Sequence, residues 1–171
     1  MRRIIKAWKN EKGLTLVELL AVVVILGIIS AIAVPSIGGI IENSKRDAHL
    51  ANAQQMISSA KLVAVSELTT REGSTSAPAN YYVTLDYLID QGYLDQVEDP
   101  FSGNLYASII ATESNTIFTN PPTGDSGNSY VLITKTGNEF TYSVTLDSSD
   151  DEYDISDKFE NQLTREIAFR P

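Results

Sequence analysis

The sequence predicts an α+β protein in which one long N-terminal α-helix packs on a small antiparallel β-sheet domain. An apolar run with no charged residue from Leu19 to Ile41 predicts the first half of that helix. Beyond Glu42 an apolar stripe continues at helical spacing and predicts an amphipathic second half. Strand-like segments separated by turn residues occupy much of the remaining chain.

The apolar run is long enough to cross a membrane as a helix, which takes about 20 residues. Proline removes a backbone hydrogen bond and crowds the preceding turn. We therefore expect a helix kink, as a bend or as local unwinding, between Gly27 and Pro35. Glu18 stands at the threshold of the run, although an acid at the bilayer centre costs about 2.5–3.5 kcal/mol. The sequence therefore predicts that Glu18 has a functional partner.

The second half of the helix is predicted from residues spaced by three or four. The apolar stripe consists of Leu50, Ala53, Ile57, Ala60, Ala64 and Leu68. The opposite, polar face carries Asn52, Gln55, Ser59 and Ser66, with Leu62 as its apolar exception. A helix with one apolar stripe buries that stripe, so we expect this half to pack on the C-terminal domain.

Turn signals predict a short helix and several loops after the long helix. Residues 71–78 form a loop rich in Gly, Ser and Pro. Thr84 is the predicted N-cap of a short helix that Gly92 closes. Two further non-helical segments are predicted, a turn over Asp99–Asn104 and a loop over Asn120–Asn128.

The β-sheet is predicted from the C-terminal half of the chain. Leu105–Ala111 is a predicted strand, and Ser129–Lys135 and Glu139–Leu146 form a predicted hairpin across Gly137-Asn138. One face of the hairpin's second strand carries Phe140, Tyr142, Val144 and Leu146. An acidic loop follows over Asp147–Asp157. Phe159, Leu163 and Ile167 then indicate a short C-terminal helix or an irregular tail.

Charge divides the chain into two parts. The first thirteen residues carry five basic residues and one acid, so removing this +4 segment from a chain of net charge −9 leaves −13. Basic segments stay on the cytoplasmic side of a membrane, and an acidic body repels nucleic acid. We therefore expect the first part to face the cytoplasm, the rest to lie outside, and no direct nucleic-acid partner. The chain has no Cys, so we expect core packing or neighbouring molecules, and not disulfides, to stabilise it.

The segment Lys12-Gly13-Leu14-Thr15-Leu16-Val17-Glu18 decides how the apolar run is interpreted. A secretory signal has its small-residue cleavage site after the apolar core, whereas Gly13 stands before it. Over Lys12–Pro35 the sequence resembles the type IV prepilin family, which includes the pseudopilins of type II secretion and DNA-uptake machines. Leu14 departs from the Phe that is usual in that family.

The resemblance implies a type IV pilin fold and a role for each residue of the motif. A prepilin peptidase would cleave between Gly13 and Leu14 and N-methylate the new terminus. Glu18 would then pair with the α-amino group of Leu14 in a neighbouring subunit and set its register during assembly. Gly27 and Pro35 fall where pilins often carry a loosening glycine and a kinking proline. No catalytic triad, phosphate loop or nucleotide motif is present in the sequence, so no enzymatic activity is expected.

The resemblance also implies a domain organisation and a set of partners. Residues 1–13 would be a removed leader, residues 14–41 a transmembrane and filament-core helix half, and residues 42–171 an extracellular globular domain. The expected location is first the cytoplasmic membrane, as a single-pass precursor, and then an extracellular surface filament. Partners would be other copies of the chain, the prepilin peptidase, an assembly ATPase, a membrane platform protein and minor pilins. The absence of a disulfide loop favours a Gram-positive source.

Three functions follow from the resemblance, and calcium is an open question. The preferred function is a structural subunit of a type IV pilus. The alternatives are a pseudopilin of a type II secretion or competence machine, and a pilin-processed adhesin or binding module. No cofactor is expected, although oxygen ligands for calcium stand in the acidic loop at Asp147, Asp150, Asp151, Glu152 and Asp154. Some pseudopilins bind calcium near an Asp-Pro turn, which makes Asp99 a second candidate, but a solvated loop is the favoured interpretation.

Overall fold

A computed structural model describes residues 15–69, 78–106, 116–122, 129–148 and 153–164. Its elements are α1 (Leu16–Val63), a π-helical turn (Ala64–Leu68), β1 (Ala79–Thr84), α2 (Leu85–Asp90), β2 (Tyr130–Thr136), β3 (Glu139–Leu146), β4 (Ile155–Phe159) and a 3₁₀ turn (Glu160–Gln162). The chain divides into two compact units, Met1–Ile41 and Glu42–Pro171, which are described separately.

In the first unit, α1 exposes apolar side chains on every side. Its large apolar residues from Leu16 to Ile41 are between 50% and 80% exposed. By length and composition this is the one helix among the described residues able to cross a membrane. α1 stays α-helical through Gly27 and Pro35, so local unwinding there is wrong. Pro35 removes a single N–H, and the hydrogen bonds on either side keep the helical conformation.

In the second unit, α1 supplies one wall of the core. All six residues of the predicted stripe, Leu50, Ala53, Ile57, Ala60, Ala64 and Leu68, are buried, and Leu62 is exposed as predicted. The prediction of an exposed polar face is wrong at Ser59, which is buried. Its hydroxyl donates to the carbonyl of Tyr93 at 3.0 Å. A buried hydroxyl is tolerated when it is hydrogen-bonded in this way.

The other wall is a four-stranded antiparallel sheet in the order β1-β2-β3-β4. The hairpin of β2 and β3 is confirmed, with Thr136 opposite Glu139 and Gly137 at φ +61° in the turn. The sheet side chains that face α1 in the core include Val83, Val131, Ile133, Val144, Leu146 and Ile155. A long helix packed on an antiparallel sheet is an α+β arrangement like the type IV pilin fold, which confirms the predicted fold class.

Side-chain hydrogen bonds stabilise two helix ends in this unit, the start of α2 and the end of the long N-terminal helix. The Thr84 hydroxyl accepts from the backbone N–H of Tyr87 at 3.2 Å, which confirms it as the N-cap of α2. At the end of the π-helical turn that follows α1, the buried Lys135 ammonium of β2 donates to the carbonyl of Leu68 at 2.9 Å. A cation at a helix C-terminus satisfies a carbonyl that has no partner within the helix.

Two strands were not predicted. β1 was missed because its last four residues, Tyr81–Thr84, are all buried and show no alternation. β4 begins at Ile155, so the acidic loop predicted to reach Asp157 ends earlier. Its only buried residue is Ile155, which pairs with Leu146.

Of the two alternatives for the C-terminus, a helix is wrong for residues 159–164, which form the end of β4 and one 3₁₀ turn. Ile167 lies outside the described residues. Of the predicted strand Leu105–Ala111, only its first two residues are described, and Leu105 makes an isolated bridge to Glu98.

Candidate functional site

Glu18 lies in the first turn of α1 and bonds to Thr15, the residue immediately before the helix. Its Oε2 accepts from both the backbone N–H and the hydroxyl of Thr15, each at 2.8 Å. The backbone N–H of Glu18 in turn donates to the Thr15 hydroxyl at 3.2 Å. The two residues therefore form a capping box, in which N-cap and third helical residue satisfy each other's free backbone donors.

The capping box explains how an acid is accommodated at the start of an apolar helix. Helix N-termini leave backbone N–H groups without partners and carry a partial positive charge. A carboxylate there satisfies one of those donors and is favoured by the helix dipole. The partner expected for Glu18 is thus supplied in part by its own chain, through the Thr-x-x-Glu spacing visible in the sequence. A basic partner was expected from the sequence, and this capping pattern was not predicted.

One oxygen of the Glu18 carboxylate stays available for a second partner. Both hydrogen bonds from Thr15 end on Oε2, and no described residue donates to Oε1. An ionised carboxylate offers about four acceptor positions on its two oxygens. Glu18 can therefore accept a donor from another molecule without opening the capping box. Gly13 and Leu14, the predicted processing residues, lie outside the described residues.

The residues around Glu18 match a known sequence family. The family model of the prokaryotic N-terminal methylation motif matches residues 8–34. The chain carries this motif. It is the class III signal peptide of type IV pilins, and with the long apolar helix it supports a precursor like a type IV pilin or pseudopilin. No curated protein and no solved structure matched the chain.

The predicted processing and assembly residues, Gly13, Leu14 and Glu18, all lie within the methylation motif. The matched range includes all three residues and Gly27, and it ends one residue before Pro35. The motif implies processing by a prepilin peptidase and assembly into pilus-like polymers, and the apolar helix suggests a membrane-anchored precursor. It describes a structural class of protein and not a class of enzyme.

The proposed calcium ligands are dispersed or already bonded where they are described. Asp99 is buried and accepts from the N–H of Phe101 at 3.0 Å and the hydroxyl of Ser102 at 2.9 Å. Asp154 accepts from the N–H of Ser148 at 2.9 Å. Among the described residues no three metal-ligating side chains come together. Asp150, Asp151 and Glu152 lie outside them, so calcium binding in the acidic loop stays a prediction.

Asp99 instead organises the predicted turn, which the structure confirms. The N–H of Asp99 donates to the carbonyl of Asn104 at 2.7 Å, and the N–H of Gly103 donates to the carbonyl of Asp99 at 2.8 Å. Gly103 adopts φ +71°, a conformation that glycine enters without steric cost. The turn places Phe101 against the ring of His49, with the ring centroids 5.7 Å apart.

His49 is a buried titratable residue for which the sequence predicts no metal-binding or acid–base role. It is fully buried, and its Nδ1 lies 2.7 Å from the hydroxyl of Tyr106, which also accepts from the Asn52 amide at 3.2 Å. Burial lowers the pKa of His49 to about 4, against the opposing charge of Asp99 and the backbone of Tyr153. Burial likewise raises the pKa of Tyr106. The pair is neutral near pH 7 and joins α1 to the Asp99 turn.

Proposed function

We propose that the chain is a structural subunit of a type IV pilus, cleaved between Gly13 and Leu14 and assembled through α1. The observation that supports this most is the exposed apolar helix with a single acid at its start. An apolar surface of this extent is covered either by lipid or by other apolar helices. A subunit that moves from membrane to filament exchanges one cover for the other and never exposes the helix to water.

Glu18 gives this exchange its specificity. After cleavage, the new α-amino group of Leu14 in an incoming subunit is a cation that enters an apolar surrounding. Buried charges are accommodated when they are paired and hydrogen-bonded. The carboxylate of Glu18 on a neighbouring subunit offers Oε1 as the partner, while Oε2 keeps the capping bonds to Thr15. Packing of apolar helices alone would leave the axial register of the subunits free.

The direct test is to recover the chain from the surface of the cell that makes it. Sheared surface material should contain filaments in electron micrographs, and intact-mass measurement of their subunit should give a chain that starts at Leu14 with a methylated amine. An antibody against the globular part should label those filaments along their length. A chain found only in the membrane fraction, with no labelled filament, contradicts the proposal.

A further inference from the structure

The side of the long helix that faces away from the sheet carries no charged residue between Ala48 and Thr69. Every exposed residue in this stretch of the chain is uncharged. These residues are Ala48, Ala51, Gln54, Gln55, Ser58, Leu62, Val65, Ser66 and Thr69. Charged side chains normally occupy the solvent side of a surface helix. A neutral side that extends over about six helical turns favours a surface that another molecule covers.

The two charged residues of the same stretch are bound to their own globular part. The Lys61 ammonium contacts the carboxylate of Glu160 at 2.7 Å. The carboxylate of Glu67 accepts from the hydroxyl of Tyr87 at 2.6 Å and from that of Tyr93 at 3.3 Å. Lys61 and Glu67 are both half-buried. These charges serve contacts inside the chain, and the exposed side of the helix is left neutral.

Seven of the exposed residues have the spacing of a contact between two helices. Steps of three and four residues alternate through Ala48, Ala51, Gln55, Ser58, Leu62, Val65 and Thr69. This is the spacing of the a and d positions of a coiled coil, which face the partner helix. Leu62 is 58% exposed and Val65 is 66% exposed, although both side chains are large and apolar. We call these seven residues the α1 seam.

The polar residues of the α1 seam tolerate burial. The hydroxyl of Ser58 donates to the carbonyl of Gln54 at 2.9 Å, and the hydroxyl of Thr69 donates to the carbonyl of Val65 at 2.9 Å. Both donors are satisfied within the helix, so covering them leaves no hydroxyl without a partner. The amide of Gln55 is both donor and acceptor, and it can bond to the same amide of a second copy. The seam can therefore lose its water at little cost.

Charge identifies a second copy of the chain as the partner that fits. The chain has a net charge of −9, and exposed carboxylates lie elsewhere on the same compact unit at Asp95, Glu98 and Glu139. A basic partner would be attracted to those carboxylates and would gain nothing from the seam. Two acidic copies repel each other wherever their carboxylates meet. The α1 seam is a surface on which they can approach without placing like charges opposite each other.

A membrane would align two copies for this contact. The apolar helix suggests a membrane-anchored precursor. Chains with the same basic N-terminal segment take the same orientation in one membrane. Because the copies are identical, each residue of the seam then stands at the same height as its counterpart. Anchoring also raises the effective concentration of one copy near the other, so a seam with two large apolar residues is sufficient.

We propose that two membrane-anchored copies pair in parallel through the α1 seam, so that each residue of the seam faces its counterpart. Leu62 then packs on Leu62 of the partner subunit, and Val65 packs on Val65 of the partner subunit. The small residues Ala51 and Ser58 let the two helices approach closely. The sheet lies on the opposite side of α1 and does not obstruct this approach. The pairing rests on the membrane-anchored precursor within the proposed function, and it requires no filament.

Disulfide formation between identical cysteine variants tests this pairing, because the chain has no Cys of its own. Full-length Ser58→Cys, Leu62→Cys and Val65→Cys chains are oxidised mildly in the membranes of the cells that make them. In helices about 10 Å apart, facing Cα atoms lie about 5 Å apart, a distance that a disulfide spans. We expect a covalent homodimer from each variant. Gln54→Cys is exposed on the same helix but lies outside the seam, and its yield should be several-fold lower.

Charge substitution at Leu62 provides a second measurement. Leu62 is exposed, so its variants should fold like the wild type. In Ser58→Cys chains, Leu62→Asp alone and Leu62→Lys alone should each lower the homodimer yield several-fold, because like charges then face each other. The Asp and Lys variants, produced together with different tags, should form the disulfide with each other. Gln54→Asp is the matched control for an added charge and should leave the yield unchanged.

Three results would overturn the proposal. These are equal yields inside and outside the seam, a Ser58→Cys yield that Leu62→Asp leaves unchanged, and no homodimer from any seam variant. In the last case, maleimide labelling distinguishes an open surface from one covered by another occupant, such as the apolar half of a neighbour or the chain's own C-terminal residues. Filaments without the disulfide would refute the pairing and leave the pilus proposal standing, whereas the disulfide without filaments would do the reverse.

Discussion

Thr15 and Glu18 bond to each other reciprocally across the first turn of α1. Glu18 accepts the backbone N–H and the hydroxyl of Thr15, and its own N–H donates back to that hydroxyl. The acid that the methylation motif places beside an apolar helix is thus part of the helix start within one chain. Thr15 sets its orientation, and no described residue donates to Oε1.

The capping box predicts a difference between two small substitutions at Thr15. Thr15→Val keeps the shape of the side chain and removes the hydroxyl, so the N–H of Glu18 loses its acceptor. Thr15→Ser keeps the hydroxyl and serves as the matched control. In full-length chains in micelles, hydrogen exchange at the Glu18 amide should be faster in Thr15→Val and unchanged in Thr15→Ser. Equal exchange rates in both variants would show that the box contributes nothing to the helix start.

The second compact unit should fold without the apolar helix half. A fragment of residues 42–171 retains the buried stripe of α1 and the four-stranded sheet, which share one core. We expect a cooperative thermal transition by circular dichroism. In this fragment Ile57→Ala should cost about 2–5 kcal/mol, because Ile57 is fully buried. Leu62→Ala on the same helix should have little effect, because Leu62 is 58% exposed. A fragment without a cooperative transition would mean that the unit depends on its surroundings.

His49 should make the fold sensitive to mild acid. Its pKa is about 4 in the folded protein, below the ordinary 6.5, so folding favours the neutral ring. The contribution of the neutral ring to the free energy of unfolding is fully present above pH 6.5. It is lost as the pH falls from 6.5 to 4, and the loss amounts to about 3 kcal/mol. His49→Gln should remove it, so the stability difference between wild type and variant should shrink on acidification. His49 is the only histidine in the sequence, so no other imidazole contributes. A stability difference between wild type and variant that stays constant from pH 7 to pH 4.5 would refute this role of His49.

Gly13 should be required for processing. The peptidase implied by the methylation motif must reach the peptide bond between Gly13 and Leu14, and a bulky side chain at position 13 would obstruct it. Gly13→Leu should leave a chain that keeps residues 1–13, as read from intact mass, and Lys12→Leu is the control that leaves the glycine in place. Normal cleavage of Gly13→Leu would contradict a prepilin type of processing at this bond.

The sequence predicted most reliably what depends on periodicity over many residues. The stripe from Leu50 to Leu68 and the hairpin around Gly137 are repeated local patterns, and packing agrees with them. β1 and β4 were missed for physical reasons. The last four residues of β1 are all buried, and the strand leads directly into the N-cap of α2, so no alternation is visible. β4 has a single buried residue, Ile155, and is defined by its pairing with β3, where Ile155 lies opposite Leu146. Pairing between distant segments defines such strands, and one sequence does not display it.

The candidate site was predicted in part for a similar reason. Glu18 was identified because a charge in an apolar run is costly, which is a local argument. Its bonds to Thr15 follow from spacing and could have been predicted from the capping-box pattern. The His49–Tyr106 pair joins residues 57 positions apart and is not visible without the fold.

Filament yield in strains whose only copy carries a substitution at Glu18 tests the central claim most directly. Glu18→Ala removes a charge from the apolar segment, so membrane insertion and cleavage after Gly13 should persist. The ammonium of Leu14 would then lack its carboxylate, and filaments should be absent from electron micrographs of sheared surface material. Glu18→Gln, which keeps an acceptor oxygen and loses the charge, should restore few filaments. A normal yield of filaments from Glu18→Ala would contradict the assembly role assigned to Glu18.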